Sequence, residues 1–476
     1  MQQVFDAFLM NSFREMVTNC VSTLEKDGWT SFGECLRDGL NQIGIQFMKM
    51  VLETSNKEFV EQPKSRPGWI VERHGDKKTI LTVFGQLEYE RTYFKNKKTG
   101  AYAHLADSVA EYSPHQRIDV LLEAQVVQEA SEMSYRKAGR HSEVRAKGTE
   151  ISGQTVMNLV RRFQPESQKP VVKQEPLRVC PRLYIEADED HVANQIRIGD
   201  GPNRFDQKLV YIHEGRQKQG KERYSLVGKH YFTFKSGTST SKIWETVWRY
   251  IQEKYDTDAI EEIFVSGDGA GWIKAGVDYL PCAHFVLDRF HIQKAVLRSA
   301  AGEKELVKRL NKAIWQGKRS EMNQTFREML QDADTESRRK TVADIRKYFN
   351  NNWSGIQAYR KWGWKLVSCS AEGHVSHVLA GRLSSRPMAW TRHGANQMAN
   401  LRVHRANGVD VQSLYIQARK KRNEPTIPVS DQTLCSLLRA TGTSHEDLGN
   451  IPMLGAKRSS WSSVLRRIAG HHAFSN

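Results

Sequence analysis

The sequence has few of the features that mark secreted, zinc-binding or membrane proteins. No CxxC pair and no zinc-ligand spacing occurs among its cysteines, which are Cys20, Cys35, Cys180, Cys282, Cys369 and Cys435. We interpret them as buried or free thiols in a reducing cytosol. No signal peptide opens the chain, and no apolar run is long enough to cross a bilayer. We therefore expect a soluble, cytoplasmic protein with no membrane partner.

Negative charge is the minority sign in this chain. Lys and Arg together number 71 against 54 for Asp and Glu, which gives a formal net charge of +17 over 476 residues. A basic excess of this size favours a polyanionic partner, and nucleic acid is the first candidate. A merely soluble basic protein is the alternative that charge alone leaves open. The length predicts roughly two to four domains, each able to bury a core.

One apolar run that leads into clustered acids organises the chain. The run 183–185 precedes Glu186, Asp188, Glu189 and Asp190, a pattern typical of a buried strand that opens onto carboxylates. Hard cations such as Mg²⁺ or Mn²⁺ are bound by carboxylate oxygens of this kind. Solvated turns also collect acids at strand ends. The motif therefore gains weight only from similar motifs elsewhere in the sequence.

Two further apolar runs end in aspartate. Residues 263–267 precede Asp268, and residues 284–287 precede Asp288. In open α/β sheets, sites form at the carboxyl ends of strands, so we expect these acids at one edge. From residue 183 the predicted order is three β segments, a helix, a strand, a short connection, a strand and a helix. This order is close to that of an RNase H-like α/β core, and residues 301–352 then predict an all-helical insertion.

The N-terminal part predicts a helical region with a β-meander over residues 1–112. Apolar residues recur at helical spacing through the first sixty positions. Residues 69–94 then predict three short strands, with hairpin turns at Gly75-Asp76 and Gly85-Gln86. We assign no chemistry to this region from its pattern.

Residues 113–164 predict a helix-turn-helix-like DNA-binding region. Ser113-Pro114 is expected to begin its first helix, and a helix over residues 152–163 opens with small polar residues. The candidate DNA-binding residues are Gln154, Thr155 and Asn158 for base edges and Lys137, Arg161 and Arg162 for phosphates. Any basic helical hairpin gives a similar pattern. Residues 165–180, which contain three prolines, predict a linker.

Four motifs in order carry a family resemblance: IEADEDHV, GDGAGWI, LDRFH and AEGHVSHVLAGRLSSRPMAW. Together they resemble the Lre-type group of bacterial insertion-sequence transposases, which is related to Mutator-like DDE transposases with a helical insertion. The resemblance implies an acidic triad of Asp188, Asp268 and Glu372. It further implies that Asp288 and His291 form a DxxH motif that assists catalysis. Two Mg²⁺ or Mn²⁺ ions are implied, with Asp188 bridging both.

The resemblance also implies an architecture and a function. A multidomain α+β chain would carry the RNase H-like core in residues 181–300 and 353–400, followed by a basic region at 401–476. The protein would bind the terminal repeats of an insertion sequence, cleave and join DNA, act as a homo-oligomer in a synaptic complex and associate with the nucleoid. Three alternatives stay open. The first carboxylate could be Glu186, Glu189 or Asp190, and the protein could be a nuclease of the same fold or a non-catalytic DNA-binding protein.

Overall fold

The computed structural model describes residues 2–145, 150–163, 176–195, 202–221 and 223–420. Within these residues the chain is a multidomain α+β protein, as predicted. It divides into two compact units, of which the first contains the described residues up to Leu159 with those from Gln412, and the second is Val160–Val411. Most of the predicted linker and the C-terminal region beyond residue 420 lie outside the described residues. The five described cysteines form no disulfide with one another.

The first unit begins with a long helix and a small antiparallel sheet, which four shorter helices follow. Its elements are α1 (Gln2–Glu61), β1 (Trp69–Thr82), β2 (Gly85–Asn96), β3 (Tyr102–Ala103), α2 (Leu105–Val109), α3 (Val120–Ala130), α4 (Tyr135–Arg145) and α5 (Gly153–Arg162). The helical start is therefore confirmed, although α1 is kinked at Gly28, whose φ is 78°. The three-stranded sheet has the order β1-β2-β3.

Two details of this unit differ from the prediction. Gly75-Asp76 is not a turn: it lies inside β1, where the pairing with β2 shifts register. Gly75 adopts φ 76° there, which suits a β-bulge rather than a chain reversal. Ser113-Pro114 likewise begins no helix, because α3 starts at Val120 under an Asp119 cap. The Ser113 carbonyl instead accepts a hydrogen bond from Lys78 Nζ at 3.0 Å.

The second unit is built on a five-stranded mixed sheet of order β10-β9-β4-β5-β8. Its elements to the last strand are β4 (Arg182–Ala193), β5 (Arg204–His213), β6 (Gly215–Lys218), β7 (Tyr224–Val227), β8 (His230–Phe234), α6 (Thr240–Lys254), β9 (Glu262–Gly267), α7 (Gly271–Lys274), α8 (Gly276–Tyr279) and β10 (Ala283–Leu287). β9 runs parallel to β4 and β10, whereas β5 is antiparallel to β4 and β8. β6 and β7 form a separate small hairpin.

Helices make up the rest of the described chain. They are α9 (Arg289–Ala300), α10 (Lys304–Trp315), α11 (Arg319–Gln331), α12 (Glu336–Asn351), α13 (Trp353–Trp362), α14 (Ala371–Val375), α15 (Gly381–Leu383), α16 (Arg392–Ala406) and α17 (Val411–Lys420). A π-helical turn, Ser376–Ala380, joins α14 to α15. α9 to α13 share one apolar core with Leu287 at the end of β10, so the stretch 301–352 is helical as the sequence predicts.

The two faces of the sheet carry different residues. Leu183, Ile185 and Ala187 of β4 pack with Trp244 of α6 on one face. Tyr184 packs on the other face, in a cluster with residues of β9, β10 and α13. Side chains alternate between faces along a strand. The even-numbered acids of β4 therefore lie on the face that α13 covers.

Candidate metal centre

Three aspartates lie side by side at one edge of the sheet because of the strand register. β4 pairs with β9 from Arg182↔Glu262 to Glu186↔Ser266, and Asp268 follows the end of β9, close enough that its charge raises the pKa of Asp188. β9 pairs with β10 up to Gly267↔Leu287, so Asp288 follows at the same level. Parallel strands in register place equivalent side chains on the same face. The register thus collects these carboxylates at the carboxyl ends of β9 and β10.

Glu372 reaches this edge from a distant part of the sequence. One ligand atom from each of Asp188, His291 and Glu372 lies within 4.8 Å of the other two. β4 supplies the aspartate, the first turn of α9 supplies the histidine, and the first turn of α14 supplies the glutamate. Two carboxylates and an imidazole at this spacing offer the oxygen and nitrogen donors that a divalent cation requires.

Burial and neighbouring charge make Asp188 unusual. Its side chain is largely buried, at 9% exposure, and Oδ1 accepts a hydrogen bond from the Glu189 amide at 2.8 Å. Burial raises the pKa of Asp188 to about 6, and the charges of Asp268 and Glu372 add to the rise. The carboxylates repel one another when they are all ionised. A cation among them would relieve this repulsion.

Glu186, one of the alternative first ligands, is fully occupied by hydrogen bonds within the protein. It is 2% exposed, and it accepts hydrogen bonds from Tyr211 Oη and from the Ser370 amide, with His213 Nε2 at 3.0 Å. Burial alone raises the pKa of Glu186, but the hydrogen bonds from His213, Tyr211 and Ser370 outweigh it and lower the pKa. This carboxylate ties β4 to the residue before α14.

The other two acids of β4 also differ from Asp188. Asp190 Oδ1 accepts a hydrogen bond from Ser384 Oγ at 2.6 Å, while its buried Oδ2 has no partner among the described residues. Glu189 occupies the opposite face by strand alternation. Its partner in the strand register is Lys208 of β5. Of the four acids in the motif, Asp188 is the one that joins Glu372 and His291.

Asp268 lies in a tight turn after β9. Its Oδ1 accepts a hydrogen bond from the Ala270 amide at 2.8 Å, and its carbonyl oxygen accepts one from Tyr348 Oη of α12 at 2.7 Å. Gly269 has φ 93°, and a Cβ there would lie 2.6 Å from Asn352 Oδ1. Glycine is therefore required for this turn on both conformational and steric grounds. α12 holds the Asp268 backbone directly.

Asp288 caps α9 and does not belong to the three-residue cluster. Its Oδ1 accepts a hydrogen bond from the Phe290 amide at 3.0 Å, and the side chain is 3% exposed. Burial raises the pKa of Asp288, although the bond from Phe290 and the nearby His291 oppose the rise. The structure thus separates the two members of the DxxH motif: His291 lies beside Asp188, whereas Asp288 holds the start of the helix that carries it.

The helix of Glu372 is anchored by a long-range contact and not by a capping side chain. Ser370 occupies the N-cap position of α14, but its side chain makes no capping hydrogen bond. Its Oγ instead donates to Glu186 Oε2 at 3.2 Å. Val375, Val378 and Leu379 are buried, while Glu372 is exposed. The role of Glu186 was missed because its partners are far away in sequence, although strand alternation could have placed it on the face of Asp188.

The candidate DNA-binding residues lie on α4 and α5. α4 crosses the start of α5 so closely that a Cβ on Gly139 would lie 1.9 Å from the Ile151 carbonyl oxygen. Lys137, Gln154, Asn158 and Arg162 are exposed, and Thr155 is half-buried. Arg161 differs from them, because its Nη2 donates to Thr391 Oγ1 at 3.4 Å within the second unit. The structure therefore exposes four of the six candidates, whereas Thr155 and Arg161 are half-buried.

The fold and the site define a multidomain α+β protein with a carboxylate-rich centre at one sheet edge. The model of the uncharacterised protein family UPF0236 matches residues 28–420, and the chain belongs to this family. None of the helices in the described residues has the length and apolar character needed to span a membrane.

The family has many paralogues. One UPF0236 protein of Caldanaerobacter subterraneus subsp. tengcongensis is 34% identical over 449 residues, which cover 94% of this chain and 92% of that protein, and its name joins eleven gene designations. A second UPF0236 protein of the same organism is 34% identical over 437 residues, covering 89% and 91% of the two chains. Among solved structures, the Drosophila P element transposase strand transfer complex aligns over 73% of this chain and 90% of that chain, at 9% identity and a TM-score of 0.21.

Proposed function

We propose that this protein is a DDE-type DNA transposase that binds the ends of an insertion sequence and catalyses DNA cleavage and strand transfer. The observation that carries the proposal is the convergence of Asp188, His291 and Glu372 within 4.8 Å. Asp268 follows the neighbouring strand β9, and its charge helps to raise the pKa of Asp188. Phosphodiester chemistry at metal-dependent sites requires a compact set of carboxylates of this kind.

The residues present fit divalent metal ions. Asp188, Asp268 and Glu372 would hold two Mg²⁺ or Mn²⁺ ions, because hard cations prefer carboxylate oxygens. The mutual repulsion of these carboxylates helps to raise the pKa of Asp188, and bound cations would relieve this repulsion. When bound, the ions would activate the attacking oxygen and stabilise the leaving oxygen. The protein positions the carboxylates through β4, β9 and α14.

The topology supports an RNase H-like core for the second unit. Its sheet has three antiparallel strands followed by two strands parallel to the first, in the order β10-β9-β4-β5-β8. The helices α10 to α12 fall between the second and third carboxylates of the proposed triad. An inserted helical domain at this place matches the arrangement that the sequence motifs imply.

The gene family and the charge support the DNA partner. The name of one relative joins eleven gene designations in one organism. Repeated copying of a mobile element would leave such a set of gene copies in a genome. The net charge of +17 suits a protein that neutralises DNA phosphates. Pairing of two element ends would require an oligomeric synaptic complex, and work on chromosomal DNA would place the protein at the nucleoid.

Transposition is tested with the purified protein, Mg²⁺ or Mn²⁺, and a DNA fragment carrying the boundary of the repeated gene copy. Denaturing gels detect cleavage at the boundary, and sequencing of product junctions detects joining to a target plasmid. Asp188→Asn, Asp268→Asn and Glu372→Gln are expected to lower cleavage by orders of magnitude while DNA binding persists. Each substitution removes a charge but keeps the side chain's shape.

Glu253→Gln is the matched control, since Glu253 is an exposed acid on α6. The control should cut and join like the wild type. Cleavage without joined products would assign a nuclease of the same fold. Selective DNA binding with no cleavage under either metal would assign a non-catalytic DNA-binding protein.

A further inference from the structure

A basic cavity in the first unit lies apart from the metal centre. It has a volume of about 810 Å³ and lies between the β1–β2 hairpin and the first turn of α5. The hairpin contributes Lys77 and Arg91, the segment before α3 contributes Arg117, and α5 contributes Thr155. This cavity combines fixed positive charge with a helix N-terminus, two features that favour anions.

The charge around the cavity is unbalanced. Four Lys or Arg residues line it, namely Lys77, Lys78, Arg91 and Arg117. The one lining carboxylate, Glu150, has its Oε1 3.6 Å from Arg140 Nε. Lys77 Nζ lies 3.5 Å from Glu88, but both side chains are exposed, and such pairs contribute little in water. The lining therefore keeps a positive excess.

Two of the positively charged lining residues, Lys78 and Arg91, also belong to a buried hydrogen-bond network. Asp107, 4% exposed, accepts hydrogen bonds from Lys78 Nζ at 2.8 Å, Tyr89 Oη at 2.6 Å and Arg91 Nη1. One carboxylate thus faces two cations. Arg91 Nε is buried and has no hydrogen-bond partner among the described residues. An incompletely paired buried cation is costly, so an entering anion would be stabilised.

We propose that this cavity binds a phosphodiester group of the DNA backbone, and that this contact fixes α5 on the duplex. The choice of DNA over other phosphate compounds rests on the proposed function and on the exposed Gln154 and Asn158, which lie on the helix that begins at the cavity. Arg91 of the hairpin and Arg117 of the segment before α3 would contact the phosphate. Backbone contacts of this kind set the position of a reading helix without themselves reading sequence.

The test measures the salt dependence of DNA binding by the full-length protein. Lys77→Gln/Arg117→Gln removes two cavity charges, and Lys97→Gln/Lys98→Gln removes two exposed charges from the same unit, outside the cavity lining. Binding of a fluorescein-labelled duplex of about 30 bp is followed by anisotropy across a KCl series. We expect the slope of log K against log[KCl] to become shallower by about one for the cavity pair only, since the loss of one phosphate contact changes it by about 0.9.

Arg91→Lys provides a second variant that keeps the charge beside Asp107 but removes Nε. It should melt like the wild type and bind the duplex about tenfold more weakly. Equal slopes for the cavity pair and its control would overturn the inference. A second outcome would also overturn the inference: an unchanged slope for the cavity pair, together with a melting temperature that inorganic phosphate raises in the wild type but not in the cavity pair. The site would then bind a free phosphate compound.

The outcomes also separate this inference from the proposed function. Normal DNA joining by the cavity pair, with an unchanged salt slope, would overturn the phosphate site alone. A wild-type protein that never joins DNA, together with the expected slope change, would overturn the transposase proposal and keep the cavity as a DNA-backbone site.

Discussion

Asp188 lies within β4, and Asp268 directly follows the end of the adjacent parallel strand β9. The paired residues of β4 and β9 keep a constant offset of 80 residues (266 − 186), and the two aspartates have the same offset (268 − 188). Their proximity follows from the strand register and from the tight turn after β9, in which the Ala270 amide donates to Asp268 Oδ1 and Tyr348 Oη donates to the Asp268 carbonyl oxygen. A carboxylate pair fixed in this way can bind a cation without first ordering the backbone, which lowers the entropic cost of binding.

The first prediction concerns metal binding in the absence of DNA. Asp188→Asn or Asp268→Asn should weaken Mn²⁺ binding by more than about 100-fold, because each removes a charged ligand rather than an outer-shell partner. Isothermal titration calorimetry with MnCl₂ measures the change. Glu253→Gln, on the exposed side of α6, should titrate like the wild type. Similar Mn²⁺ affinities in the wild type and all three variants would show that Asp188 and Asp268 are not metal ligands.

The second prediction concerns pH and stability in metal-free buffer. Burial raises the pKa of Asp188 from its ordinary 3.8 to about 6, so the folded protein holds this proton more tightly than the unfolded chain. The associated stability is present below about pH 4 and is lost as the pH rises through about 6. Asp188→Asn should therefore be more stable than the wild type near pH 7.5, by up to about 3 kcal/mol. Urea unfolding at several pH values measures the difference, which should vanish near pH 4.

The third prediction separates Glu186 from the metal ligands. Glu186→Gln replaces an acceptor of three or more hydrogen bonds by an amide that cannot accept them all, and should cost about 2–3 kcal/mol of unfolding free energy. Because Ser370 would lose its anchor, Mn²⁺ affinity should also fall, by about tenfold. Glu262→Gln is the matched control: Glu262 is also buried and pairs with Lys365. Its loss should lower stability alone, and equal metal affinities in the two variants would contradict the anchoring role.

The fourth prediction tests Asp288 as a helix cap. Asp288→Ala should destabilise the protein by about 1–2 kcal/mol, whereas Asp288→Asn should cost less than about 0.5 kcal/mol because Asn caps as well as Asp. Chemical denaturation distinguishes the two. A Asp288→Asn protein that folds normally but no longer binds Mn²⁺ would instead assign the carboxylate to the metal centre.

The fifth prediction concerns His291, whose ring lies in the cluster with Asp188 and Glu372. Imidazole nitrogen suits Mn²⁺ better than Mg²⁺, which strongly prefers oxygen. His291→Ala should therefore weaken Mn²⁺ binding by several-fold more than Mg²⁺ binding. Competition titrations give the ratio of Mn²⁺ affinity to Mg²⁺ affinity. An unchanged ratio would show that His291 is not a metal ligand.

The sequence predicts the edge of the sheet because strand patterns are local. Apolar runs before Asp268 and Asp288 mark buried strands, and parallel strands must bring their carboxyl ends together. The same logic fails within β4, which continues to Ala193 because β5 pairs with it along its whole length. The acids of that motif therefore lie inside a strand and alternate between its faces, which an apparent strand end does not reveal.

Long-range contacts explain the remaining differences. Ser370 has the sequence of an N-cap, yet its hydroxyl bonds Glu186, because a buried carboxylate competes for the same donor. Ser113 has the sequence of a helix start, but Lys78 holds its carbonyl in a turn. Gly75-Asp76 is typical of a hairpin turn but bulges inside β1 because the partner strand β2 runs past it. In each case a partner tens of residues away decides the local structure.

The third carboxylate of the proposed triad is synthesised last. Asp188 and Asp268 belong to strands made early in the second unit, but Glu372 enters only after α10 to α13. A ribosome that stops between residues 268 and 372 therefore releases a chain with two of the three acids, and a protease that cuts among α10 to α13 separates the third acid from the other two along the chain. By this order of synthesis the proposed DNA-cutting activity begins only when the whole core has left the ribosome, so truncated products in the cell carry no such activity.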